Sequence, residues 1–154
     1  MHSLSERRIG MDVTVSWSGG GMGFSGTGGE SGFSVPLGSM EEGMRAPGMS
    51  PMEMLLVSLG GCTGMDVVSI LKKKRQEVTA FEVRVHGERA QGHPRVYTRI
   101  MVEYAVTGRH VDPAAVRRAV ELSRDTYCSV MAMLGKAAAM ETKIIVKEAP
   151  DPPA

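Results

Sequence analysis

Cysteine is nearly absent from this chain, with two residues among 154, Cys62 and Cys128, set 66 positions apart. So sparse a pair cannot frame a small disulfide-rich fold, and in a reducing compartment such cysteines are buried thiols or catalytic ones. Net charge is lacking as well. Lys and Arg total 18 against 17 Asp and Glu, giving +1, so nothing draws the chain as a whole towards nucleic acid or anionic membrane. The four histidines show no ligand spacing: His2 is terminal, while His86, His93 and His110 fall in strand or turn contexts. A metal centre would need two ligands beyond the cysteines, and neither metal nor cofactor is expected. The N-terminal MHSLSERRIG holds no apolar run before a small-residue cleavage site, which argues against secretion, and a cytoplasmic protein is expected.

What the chain does have is a long apolar helix with a thiol inside it. Ser50, Pro51 and Glu53 write a helix start, with the serine as N-cap, the proline at the first helical position and the glutamate closing a capping box. From Met52 to Leu71 apolar residues fall all round the helical wheel, which predicts a core helix buried on most sides. Glu53, Gly60, Gly61 and Asp66 interrupt it and disfavour a membrane span. Lys72, Lys73, Lys74 and Arg75 then collect at the negative end of the helix dipole. Without interleaved aromatics this cluster makes a poor nucleic-acid patch. Gly60, Gly61 and Gly64 each cost about 1 kcal/mol against Ala inside a helix. Either another helix, such as a second copy of this one, crosses there, or the glycines relieve crowding within one chain.

The remaining order is three strands, the long helix, two strands, two helices and one strand. MDVTVSW at 11–17 alternates Val13, Val15 and Trp17 with polar residues. The stretch 18–33 carries eight glycines and reads as short strands joined by Gly turns, with Phe24 and Phe33 inward. Residues 37–49 form a polar loop in which Arg45 is the single cation. Residues 78–88 and 95–107 make an antiparallel pair around a turn at 89–94. Asp112 and Pro113 begin one helix, a second runs over 128–139 with Cys128 at its start, and 142–146 gives a final strand. Strands and helices segregated in this way indicate an α+β fold of antiparallel sheets around the long helix. One domain over 1–154 is expected, with tails at 1–10 and 149–154.

Cysteine chemistry needs thiolate, which a helix N-terminus or a nearby cation produces. Cys62 lies about 12 residues into its helix, beyond reach of the dipole, and Asp66 one turn on opposes ionisation. It therefore requires an imported cation, for which Arg45 is the candidate. Cys128 is served by its own helix start. The residues by themselves leave open which thiol attacks.

SPMEMLLVSLGGCTGMDVVSIL, followed by TYCSVMAML with its own Cys, resembles the OsmC and Ohr family over nearly the whole chain, closest to its small OsmC-like branch. The resemblance implies an intertwined homodimer with the Cys-bearing helices central. It also implies a thiol-dependent peroxidase acting on organic hydroperoxides in oxidative stress defence. Cys62 would be peroxidatic, passing through a sulfenic acid that Cys128 resolves to a disulfide. A dithiol, of lipoyl type, would reopen that disulfide. One position departs from the family pattern: the Glu that holds the activating Arg stands ten residues before the first Cys, and Met52 occupies that place here. Glu53 is a residue late, about 100° away round the helix, and is left to its cap. The departure gives weight to an alternative, a non-catalytic stress-associated dimer holding a small apolar or sulfur-containing ligand in the cysteine cleft.

Overall fold

A computed structural model describes residues 10–154. His2 and the N-terminal stretch, on which the expectation about a leader rests, lie outside them. The described chain forms two compact units, one ending at Met54 and the other spanning Leu55–Ala154.

In the first unit β1 (Val13–Trp17), β2 (Gly23–Gly28) and β3 (Ser34–Gly38) form an antiparallel meander in that order. Gly19 and Gly21 take positive φ in the turn between β1 and β2, where the Trp17 indole N–H donates to the Gly21 carbonyl at 2.9 Å. The alternation predicted three strands, and three are present. The inward placement of Phe24 and Phe33 does not follow: they are 36% and 80% exposed. Three short strands in a single sheet supply no second layer of their own to cover those side chains.

Helix α1 (Pro51–Lys73) begins as the capping box dictates. Glu53 Oε2 accepts from the Ser50 backbone N–H at 2.8 Å, and the Glu53 N–H donates to Ser50 Oγ at 3.2 Å. The Ser50 N–H first, then the Ser50 hydroxyl, which donates to the same Oε2 at 2.8 Å, hold the Glu53 carboxyl below the usual range. Lys72 and Lys73 close the last turn, and Arg75 then leaves the helix with φ of 55°. Burial is confined to one stripe, Leu59, Thr63, Gly64, Val67 and Leu71, at three- and four-residue spacing. The expected all-round burial is thus corrected: Leu55, Val57 and Met65 on other faces are exposed. By length and composition α1 is apolar enough to cross a membrane, but its buried stripe closes the core of the second unit.

That core rests on β5. Strand β4 (Glu77–Arg89) pairs antiparallel with β5 (Tyr97–Arg109), as the alternation predicts. Strand β6 (Ala139–Glu148) joins the other edge of β5 in parallel, a departure from an all-antiparallel sheet. Alternate β5 residues Ile100, Val102, Tyr104 and Val106 are fully buried. A parallel pairing needs a crossover, and α2 (Pro113–Leu122), a π-helical turn at Ser123–Tyr127 and α3 (Ser129–Leu134) supply it. Asp112 caps α2 by accepting from the Ala114 N–H at 2.9 Å. Helix α3 stops at Gly135, short of the expected 139, and β6 is correspondingly longer than 142–146. Pairing from Arg99 with Ala139 to Gly108 with Glu148 recruits residues whose propensity is helical.

The helical glycines meet a strand. A Cβ on Gly60 would lie 3.4 Å from Val85 Cγ2, and one on Gly64 3.4 Å from Phe81 Cε1, both on β4, so β4 takes the place expected for a crossing helix. Gly61 meets nothing within 4 Å. Between α1 and β4 runs a groove of about 840 Å³ lined by Val57, Gly61, Met65, Val68, Phe81 and Val83.

The capping box is testable by itself. Ser50→Ala is expected to lower stability by about 1 kcal/mol in urea unfolding, with the helical circular dichroism of the native state retained.

Candidate functional site

The site is assembled from α1 and the crossover. Cys62 and Asp66 are one turn apart on α1, and Thr63 stands in its buried stripe. Ser123 opens the π-helical turn after α2. Its carbonyl accepts from the Cys128 N–H at 2.8 Å, which sets Cys128 at the N-cap of α3. The result is convergence: Cys62 Sγ, Cys128 Sγ and a carboxylate oxygen of Asp66 all lie within 4.8 Å of one another. Both thiols are free; Cys62 is half-buried and Cys128 is buried.

A chain of hydroxyls fixes the carboxylate. Ser123 Oγ donates to Asp66 Oδ2 at 2.9 Å, and Thr63 Oγ1 lies 2.7 Å from both Ser123 Oγ and the Tyr104 phenol. Each hydroxyl has one proton to give. Since Ser123 spends its own on the carboxylate, Thr63 must donate to Ser123 and Tyr104 to Thr63. The chain therefore runs one way, from Tyr104 on β5 to Asp66 on α1. Burial pushes the Tyr104 phenol above its ordinary value, which keeps the first proton in place.

The two predicted thiols are thus brought together, as is Asp66. Helix-start capping also holds for Cys128, whose Sγ accepts from the Met131 N–H at 3.3 Å. The expectation that this start favours thiolate is corrected. Burial first, then the hydrogen bond with Cys62, push the Cys128 thiol up to about 11, against the lowering pull of that N–H, and the charge of Asp66 adds to the rise. Arg45 belongs to the N-terminal unit, in a hollow it shares with Ser18, Gly21, Glu41, Met44 and Pro47. Thr63, Tyr104 and Ser123 carried no signal in the sequence as site residues. Thr63 stands out only as a polar residue on a stripe with Leu59 and Val67.

Two measurements follow from this network. Tyr104→Phe removes only the terminal donor and is expected to cost about 1 kcal/mol in urea unfolding. Ser123→Ala orphans both the Thr63 proton and an oxygen of Asp66, and should cost about 1–3 kcal/mol more. The second measurement concerns pH. The folded Cys128 thiol keeps its proton to about pH 11, against 9.0 ordinarily, so its contribution to stability is complete below pH 9 and lost as pH rises towards 11. The stability difference between wild type and Cys128→Ala should be constant below pH 9 and change in favour of the variant above it, read from urea midpoints.

Comparison with known proteins agrees with this geometry. The family model for OsmC-like proteins matches residues 42–143, a span that includes both thiols, Asp66 and the whole hydroxyl chain. Protein YhfA of Escherichia coli K12 is 53% identical over 95 residues, which are 62% of this chain and 69% of that protein. A hypothetical protein from Aquifex aeolicus, solved by crystallography, superposes with a TM-score of 0.81 at 33% identity, covering 93% of this chain and all of that one. The organic hydroperoxide resistance protein OhrB of Bacillus subtilis shares the fold, with a TM-score of 0.58 at 15% identity over 88% of this chain and 98% of its own. A thiol helix packed on a mixed sheet, a second thiol on the crossover and a family match over more than half of the sequence place the chain in the OsmC-like family.

Proposed function

We propose that the protein is a thiol-dependent peroxidase that reduces organic hydroperoxides, working in the cytoplasm as a single-domain homodimer. The observation that carries this is the meeting of two sulfurs from distant parts of the chain within 4.8 Å. A disulfide of about 2.05 Å then requires a closing movement of less than about 3 Å.

Exposure supports one order of roles. Cys62 is half-buried and reachable, whereas Cys128 is 2% exposed, which supports Cys62 as the attacking thiol and Cys128 as the resolving one. The Cys62 thiolate attacks one peroxide oxygen; an S–O bond forms, the O–O bond breaks, and the alcohol leaves with a proton. Cys128 then attacks the sulfenic sulfur, an S–S bond forms, the S–O bond breaks and water departs. A dithiol, of the lipoyl type in the family manner, returns two electrons and two protons by thiol exchange. Arg45 is the candidate for steadying the first thiolate, with Met52 in place of the family's Glu.

The groove between α1 and β4 does not include Cys62 in its lining. Its exposed Val57 and Met65, with Gly61 open beside them, suit the apolar face of a second copy better than a substrate.

The test is intact-mass analysis of the reduced protein after one equivalent of cumene hydroperoxide. Loss of two hydrogens in wild type, and of none in Cys62→Ser, is the expected result, with catalytic consumption of peroxide when a dithiol is supplied. Unchanged thiols in wild type would support instead a dimer that binds a ligand without turnover.

A further inference from the structure

The thiol pair has a third member that the redox cycle leaves unused. Asp66 is a half-buried carboxylate within 4.8 Å of both sulfurs. Among the described residues of the second unit none of the ion pairs includes it; its hydrogen-bond partner there is the neutral Ser123. A carboxylate removed from water is costly without a positive partner. Two sulfurs within 4.8 Å and the Ser123 hydroxyl stand beside it, and none of these supplies a positive charge.

We propose that Cys62, Asp66 and Cys128 form a binding site for a thiophilic divalent cation of the zinc type. Three features besides proximity fit. The donor set is two soft sulfurs and one hard oxygen, a mixture suited to Zn²⁺ and not to Mg²⁺ or Ca²⁺. The spacing fits too: a tetrahedral ion with Zn–S of 2.3 Å and Zn–O of 2.0 Å holds its sulfurs about 3.8 Å apart, and each sulfur about 3.5 Å from the oxygen. Both values lie inside the 4.8 Å limit of the trio. Finally, the ligands are already held from behind. Ser123 binds Asp66 Oδ2 and the Met131 N–H binds Cys128 Sγ, the kind of outer-shell support that orients metal ligands.

With three protein ligands the fourth position falls to water. The ion displaces the thiol protons as it binds, and both sulfurs are then committed to it. Metal and peroxide therefore compete for the same atoms, but cation binding does not depend on any peroxide chemistry.

The experiment titrates the reduced, metal-free full-length protein with Zn²⁺ in the absence of oxygen, against a chromophoric chelator. Cd²⁺ follows as a spectroscopic probe, through its thiolate charge-transfer absorption. Wild type should bind one ion per chain. Asp66→Asn, which keeps an acceptor for Ser123 but replaces an anionic ligand by a neutral one, should bind more weakly by at least the roughly 10-fold that loss of an outer-shell partner costs. Asp66→His, which restores a ligand, should recover much of that loss, and Cys62→Ser, with one thiolate left, should lose about half of the Cd²⁺ absorption. Binding by Asp66→Asn as tight as wild type, or by Cys62→Ser with unchanged absorption, overturns the proposal. Circular dichroism confirms that each variant is folded. If Asp66→Asn does not fold, the Cys62→Ser result decides.

Discussion

Asp66 places a carboxylate one helical turn from Cys62, on a helix whose neighbouring stripe is buried, and the structure around it is shaped by the need to answer that group. Ser123 answers it with a hydroxyl, and in doing so ties the end of α2 to the middle of α1. Thr63 and Tyr104 extend the tie to β5, so that helix, crossover and central strand are joined by a single series of hydrogen bonds. A buried network of this kind stabilises only when every member is satisfied. No buried side-chain nitrogen or oxygen among the described residues lacks a partner.

The same construction explains why two thiols of opposite character sit side by side. Cys62 belongs to a helix with an uncovered face, whereas Cys128 lies within the crossover, where burial keeps its proton on. A pair with one reachable and one protected sulfur suits a sequential thiol reaction. It equally suits an ion that draws both into one coordination shell. Both possibilities rest on one geometric fact, the convergence of three donors.

Much of this was legible in the sequence. Ser50, Pro51 and Glu53 announced α1 because a capping box is local chemistry, and Asp112 with Pro113 did the same for α2. Strand alternation gave β4 and β5 for the same reason. The parallel seat of β6 was not legible, since pairing across a crossover depends on residues some 40 positions away, such as Arg99 with Ala139. Nor was the burial of α1, because an all-apolar wheel does not say which of its faces this chain covers. At the site, the helical spacing of Cys62 and Asp66 was readable. The tie to Ser123, 57 positions beyond Asp66, was not, since nothing about a lone serine marks its distant partner. The raised Cys128 thiol was hidden likewise: its cap was visible, but the burial that outweighs the cap was not.

The π-helical turn at Ser123–Tyr127 bears on how such a site can vary. A turn of this kind amounts to one residue inserted into an α-helix, and a single residue corresponds to about 100° of rotation and 1.5 Å of advance. Removing that extra residue would leave α2 and β6 each recognisable while swinging everything between them to a new azimuth. The second sulfur is thereby coupled to helical phase, so that its alignment with the first can be gained or lost through a change in loop length, with no alteration to either cysteine.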